Sequence, residues 1–300
     1  MKRKCLYGIA LVCCLFFAGC GERPVPGDGK GTKVYEATDL KVGDYFYSDG
    51  TWSDGGLRGI GDDGGMVMDD KKPLPLEGKK VIGIVFSTDT NRIGMEEKRL
   101  LAQKGVKAKG LVMSVRLANE AKSCSWGIWR QEVPIGSVLT LRDCYEDIDG
   151  LSHTMEMLSF SGGMSGFPAF HSLQTFDTVV PVGTTGWYLP SIGQWWDILQ
   201  NLGGVSDLAS HEVQTSHGLS TMGSFFYGEI GVCQRMNAWM VGIPASERNL
   251  FKLPDDVYWT SSVLNARRAK YVGLIDDYGY VYLDVVNKPC RLWVRGVLAF

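Results

Sequence analysis

The stretch "GWYLPSIGQWWDILQNLGG", Gly186 to Gly204, holds the densest local instructions in this 300-residue chain. Ser191 is a good helix N-cap and Gln194, three residues on, is its capping-box partner; Gly203 and Gly204 supply a stop. This grammar predicts a helix from about Ile192 to Leu202. Ile192, Trp195, Trp196, Leu199 and Leu202 recur at spacings of three and four and form one apolar stripe. The two tryptophans are therefore read as core residues, with one of them at the edge of the stripe because neighbours on a helix point about 100° apart.

Working outward, "VIGIVF", Val81 to Phe86, and the alternation from Leu111 to Leu117 read as strands, and "GSVLTLRDC" as a shorter one. "NRIGMEEKRLLAQKG" reads as a charged helix ended by Gly105, "GLSHTMEMLSF" as a helix from about Gly150, and Pro168 as the start of a further helical turn. Val205 to Asp256 shows little periodicity and reads as loop. The last residues parse into Lys270 to Ile275, Tyr280 to Val286 and Arg291 to Phe300, separated by Asp276-Asp277-Tyr278-Gly279 and Asn287-Lys288-Pro289. That pattern predicts an antiparallel meander.

The N-terminus carries its own message. Lys2-Arg3-Lys4 precede an apolar run, Cys5 to Ala18, that is too short to span a bilayer as a helix, so residues 1–19 read as an export signal. Ala18-Gly19-Cys20 resembles a bacterial lipobox, which implies acylation of Cys20 by palmitate-type chains and a lipid-anchored place at the outer membrane, with exposure at the cell surface left open. An ordinary signal peptide with a chance cysteine is the alternative. Residues 20–33 are polar and rich in Pro and Gly, the composition of a flexible tether, and 34–300 read as one domain with its first strands as an extension. Cys20→Ala should release the protein from membranes; a variant that still pellets with them at high salt would sink the lipobox reading.

Removing residues 1–19 takes away three positive charges and no acid, moving the net charge from −2 to −5. Nucleic acid is thereby disfavoured as a partner. Four cysteines remain beyond Cys20: Cys124, Cys144, Cys233 and Cys290. In an oxidising compartment they suggest two disulfides, with proximity favouring Cys124 with Cys144 and Cys233 with Cys290, contributing about 3 and about 4 kcal/mol. Buried thiols are the alternative.

Motifs for chemistry are sparse. "GIGDDG", Gly59 to Gly64, satisfies GxGxxG but lacks the preceding strand and following helix, and its acids would repel a pyrophosphate. "GGMSGF" misses the nucleophile-elbow spacing by one residue. "DIDG", Asp147 to Gly150, lacks the later ligands of a calcium loop. His211 and His217 lie six apart without a carboxylate partner spacing. No catalytic residue, metal or cofactor is expected.

The order of the Leu-Pro-Ser helix, a long loop, "VYWTSS", "AKYVGL" and a closing "WVRGVLAF" resembles the C-type-lectin-like fold in its bacterial form. That branch is shared by formylglycine-generating-enzyme-like domains, the DUF1566 group and retroelement-diversified variable proteins. "VGDYFYSDGTWSD", "VIGIVF" and "GLVMSV" resemble the N-terminal strands of Bacteroides-type surface lipoproteins of that group. The resemblance implies an α+β fold, two main helices around a small antiparallel sheet, with a long loop region and the last strands as the binding face. The nearest prolines, in Ile243-Pro244-Ala245 and Leu253-Pro254-Asp255, depart from the calcium-dependent sugar motifs. Cys290 stands alone where formylglycine-generating enzymes need a cysteine pair.

Within the final strands, Val281, Leu283 and Val285 share one face and should meet the core, leaving Tyr280, Tyr282 and Asp284 outward beside Asp276, Asp277 and Tyr278. These six are the candidate ligand-binding residues, since tyrosine offers large amphipathic area with little side-chain entropy to lose. A solvated face or cross-strand aromatic pairing is the alternative. The expectation is an exported, lipid-anchored, non-enzymatic binding or adhesion protein for an unknown protein or glycan ligand. Its alternatives are a degenerate formylglycine-generating-type oxidoreductase and a structural subunit of a surface fibre.

Overall fold

The apolar run at Val81 forms a strand, and both of its faces are covered. The computed structural model describes residues 33–62, 65–160, 166–205, 225–228, 231–252, 256–275 and 280–300, with 225–228, 275 and 280 described through their backbone. In chain order the elements are β1 (Lys33–Val34), β2 (Tyr45–Tyr47), β3 (Trp52–Ser53), β4 (Leu57–Ile60), β5 (Met66–Met68), β6 (Val81–Ser87), α1 (Met95–Gln103), β7 (Leu111–Ser114) and β8 (Cys124–Ser125). Four helices follow: α2 (Leu141–Glu146), α3 (Gly150–Ser159), α4 (Pro168–Gln174) and α5 (Ile192–Asn201). Then come β9 (Phe225–Gly228), α6 (Val232–Ala238), β10 (Asp256–Val263), β11 (Arg268–Ile275), β12 (Tyr280–Asn287), β13 (Arg291–Leu292) and β14 (Val297–Ala299).

Among the described residues these strands make four sheets, ordered β14-β7-β6-β2-β3, β10-β11-β12-β9, β1-β4-β5 and β13-β8. Every residue of β6 and β7 is buried, as expected of strands covered on both sides. Alternate side chains feed two cores: Tyr45, Ile84, Phe86, Leu111 and Met113 enter one, while Phe46, Ile82, Val85 and Val112 enter the other. β10 is divided in the same way, Tyr258 joining the first core and Trp259 the second. The described body belongs to one unit, Thr32–Phe300. No described helix is long and apolar enough to cross a membrane.

The C-type-lectin-like layout, two main helices around a small sheet, is overturned by this architecture. The residues read as an N-terminal extension supply β2, β3, β6 and β7, four of the five strands of the largest sheet, and the chain's last strand, β14, completes it beside β7. The expected long loop holds α6 and β9. The meander is also corrected. β11 and β12 pair as predicted, but the third strand splits, β13 pairing with β8 and β14 with β7. Between them Trp293 bridges β10, its N donating to Val257 O and its O accepting from Trp259 N at 2.9 Å each, and Arg295, fully buried, donates to Ser114 O and Asn249 O at 2.8 Å each and lies 4.3 Å over the Phe251 ring.

Two smaller corrections have local causes. "GSVLTLRDC" becomes the start of α2 because Thr140 and Asp143 form a reciprocal capping box. The four cysteines stand as thiols, so the two-disulfide expectation is not met. Each favoured pair is divided between the cores: Cys144 and Cys233 lie in the first, whereas Cys124 lies in the second and Cys290 packs against it. Burial pushes the Cys124 and Cys144 thiols up to about 11.

The Trp-Trp helix forms as the sequence predicts. In α5 the Ser191 side chain accepts from Gln194 N at 3.3 Å while Gln194 Oε1 accepts from Ser191 N at 3.0 Å. The helix packs against β6, β10 and β11, between the two large sheets. Burial extends beyond the stripe to Gln194 and Asp197. Gln194 Nε2 donates to Glu97 Oε1 at 3.1 Å and to Tyr188 OH at 3.0 Å, and Asp197 pairs with Arg92 at 3.0 Å. Burial of Gln194 and Asp197 on a second helix face is tolerated because both have partners.

Candidate functional site: an aromatic face on the C-terminal sheet

In β12, Val281 and Leu283 are buried in the first core, and Val285 is half-buried toward the strand end. The opposite face is built by register. Val257, Gly273, Tyr282 and Phe226 stand side by side across β10, β11, β12 and β9, and Trp259, Tyr271 and Asp284 form the adjacent row. Residues directly opposite on neighbouring strands share a face and interact. Trp259 is fully buried and donates its indole N–H to Cys124 O at 2.8 Å, which closes that part of the face into the second core. From Tyr271 onward the face opens, with Tyr271, Tyr282, Asp284 and Val257 all half-buried.

Gly273 gives this face its shape. A Cβ there would lie 3.4 Å from Tyr271 Cε2 and 3.5 Å from Tyr282 Cδ2, so the two tyrosine rings pack over the buried glycine. Burial pushes the Tyr271 phenol up to about 12, with Asp284, Tyr282 and Cys290 adding to the shift. It is a neutral hydrogen-bonding group at physiological pH. Asp284 Oδ1 accepts from Val285 N at 2.7 Å, which orients the carboxylate. Two amphipathic rings and an oriented carboxylate suit a ligand with an apolar face and hydroxyl or amide donors at its edge.

Of the residues predicted from sequence, Tyr282 and Asp284 lie on this face, and Tyr280 is placed in β12 opposite Ile275 and Gly228. Asp276, Asp277, Tyr278, His211, His217 and Cys20 lie outside the described residues. Tyr271 and Gly273 were missed. The signal was present, because pairing the predicted strands across the Asp276 turn sets Tyr271 opposite Asp284 and Gly273 opposite Tyr282.

Asp147, His153 and Ser261 form the arrangement most like a catalytic one. His153 Nδ1 lies 2.9 Å from Ser261 Oγ, and its Nε2 lies 3.8 Å from Asp147 Oδ1. Ser261 has no exposed surface, so its hydroxyl meets no substrate. Asp147 also accepts from Ser262 Oγ, and its main-chain carbonyl accepts from Ser191 Oγ at 2.6 Å and Gly193 N at 3.0 Å. These bonds lock the α2–α3 junction onto β10 and α5. The carboxylate read as part of a possible calcium loop is used there. Among the described residues no three His, Cys, Asp or Glu side chains gather as a metal site.

No protein-family model matches the chain, and no curated protein matches it. A solved fimbrial protein from Bacteroides ovatus ATCC 8483 is similar over 87% of this chain and 49% of that one, at 15% identity and a TM-score of 0.49. The chain thus spans about half the length of that solved protein.

Proposed function

We propose that this chain is an exported, non-enzymatic subunit of a cell-surface fibre or adhesive assembly, anchored through Cys20, that engages a neighbouring protein through the tyrosine face of its C-terminal sheet. The observation that carries this reading is the continuity of that face with a strand edge. Tyr282 pairs with Phe226 of β9, and among the described residues no strand pairs with the outer side of β9. An open edge offers main-chain donors and acceptors to another chain, and the adjoining tyrosines add side-chain contact. A glycan stacked on the tyrosine rings is the alternative occupant of this face.

The test is Tyr280→Ser combined with Tyr282→Ser, assayed by thermal melting, by sedimentation for self-association and by glycan-array binding. Loss of association with a near-native melting temperature supports the reading. Loss of glycan binding alone moves the function to that of a receptor. A collapse in stability without a separable binding defect returns both tyrosines to the fold.

A further inference from the structure

Far from the tyrosine face in sequence, Val179-Val180-Pro181-Val182 puts apolar surface into solvent: Val179 and Val180 are 51% and 50% exposed and Val182 is fully exposed. Three exposed valines in four residues form an apolar patch of the kind that marks an interaction site. The loop is braced. Pro181 is buried, its carbonyl accepts from Thr184 Oγ1 at 2.9 Å and Thr184 N at 3.3 Å, and Lys104 Nζ donates to Thr184 O at 2.6 Å. Gly183, with φ +85°, supplies the left-handed position that tightens the turn. The β2–β3 turn lies beneath, a Cβ at Gly50 falling 3.3 Å from Pro181 Cβ. The valines are held outward by a built turn.

Lysines lie around the turn. Gly183 approaches Val106, next to the exposed Lys104, Lys107 and Lys109, and Lys109 Nζ lies 4.9 Å over the Trp52 ring of β3. Lys80 is exposed near the β2–β3 turn, where Ser48 N donates to its carbonyl at 2.9 Å. Two nearby acids are paired, Asp49 with Lys79 at 2.8 Å and Asp177 with Arg116 at 3.0 Å, and Glu77 is exposed three positions before Lys80. Among the described residues Lys80, Lys104, Lys107 and Lys109 form no ion pair. This basic end sits on a chain whose net charge is −2.

We infer that the Val179–Gly183 loop and its ring of lysines form a docking surface for an anionic lipid bilayer, the valines entering the interface and Lys80, Lys104, Lys107 and Lys109 meeting phosphate headgroups. An exposed apolar turn flanked by lysines without ion pairs suits a peripheral membrane contact, where burial of apolar side chains and attraction to anionic lipid act together. Exposed valines beside lysines that form no ion pair match a surface that is apolar and anionic at once, which a bilayer interface provides. The inference is independent of the tyrosine-face reading.

The experiment uses the non-acylated Cys20→Ser chain, so that no lipid anchor contributes, in co-sedimentation with phosphatidylcholine vesicles containing phosphatidylglycerol and with phosphatidylcholine alone. Binding to the anionic vesicles that weakens in high salt is expected. Val179→Ser with Val182→Ser should weaken it by at least roughly tenfold, the consequence of withdrawing two buried aliphatic side chains. Lys107→Glu with Lys109→Glu should weaken it by roughly tenfold or more while leaving the apolar loop intact. Circular dichroism melting confirms that each variant is folded. Failure of the parent chain to bind anionic vesicles, or a valine variant that binds like the parent, overturns the proposal. A valine variant that instead changes the oligomeric state, with no vesicle binding by the parent, assigns the loop to a protein interface and also overturns it.

Discussion

Trp195→Ala is expected to lower the unfolding free energy by about 3 to 5 kcal/mol, and Trp196→Ala by a similar amount. Neither ring has room to relax into solvent. Trp195 has no exposed surface, and its ring lies 5.0 Å from Tyr258 of β10; Trp196 is 2% exposed and meets Tyr145 edge-on at 5.4 Å. The indole N–H of Trp195 has no hydrogen-bond partner among the described residues, so its contribution is volume and contact. Truncation would leave a cavity between the two large sheets. A domain's total stability is only about 5 to 15 kcal/mol, so either change should also reduce the yield of folded protein. Urea denaturation is the measurement. A Trp196→Ala protein with unaltered melting temperature but lost ligand binding would reverse its assignment to the core.

Removing Arg92 should cost about 2 to 3 kcal/mol at neutral pH, and about 1 kcal/mol of that loss should vanish in mild acid, which is what one pKa unit between pH 7 and the folded Asp197 value allows. The Arg92 and Asp197 side chains are only 14% and 5% exposed, with Nε 3.0 Å from the carboxylate. Burial pushes the Asp197 carboxyl up to about 6 even though Arg92 pulls it down. Its folded-state value therefore lies above the unfolded one, near 3.8. A group raised in this way favours the folded state below the unfolded value and loses that contribution as pH rises through the folded one. Without Arg92 the Asp197 carboxyl rises further, so at pH 7 it holds a proton that the parent has largely released. At pH 5 it is protonated in both proteins, and the deficit shrinks to about 1 to 2 kcal/mol from the hydrogen bonds that Arg92 gives to carbonyls. Those bonds run to Tyr145 O at 2.9 Å and Gly193 O at 3.3 Å. Asp44, also raised to about 6 by burial, shifts parent and variant alike and cancels in the difference. Urea unfolding of both proteins at the two pH values decides the matter; an equal deficit at both would separate the effect from Asp197.

The partners of Arg92 show where reading a sequence stops. Arg92 and Asp197 are 105 positions apart, and no periodicity joins them. The same holds for Gln194 and Glu97. By contrast, the α5 capping box spans three residues and was legible, as were the alternation of β12 and the stop after α1, because each depends on atoms within one or two turns of chain. Capping also betrayed the reading once: "GSVLTLRDC" carries strand-like apolar residues, but the Thr140–Asp143 box lies inside it and α2 forms.

The candidate site divides in the same way. Tyr282 and Asp284 share a face by the two-residue period of a strand, which any reader of the sequence can count. Tyr271 and Gly273 join them only through the pairing register of β11 with β12, and the edge beside them exists only because β9 adds to that sheet.

The sequence by itself determined the helix caps, the apolar stripe of α5, the inward and outward faces of β12 and the placing of the longer strands. All are short-range consequences of backbone geometry and side-chain type. Tertiary structure alone decided that β2, β3, β6 and β7 and the C-terminal β14 make one sheet, and that Gln194 and Asp197 of α5 are buried along with its stripe. It also split each favoured cysteine pair between two cores. The physical reason is that hydrophobic burial is non-directional: a stripe of tryptophans requires cover but does not specify which strands, from which end of the chain, supply it.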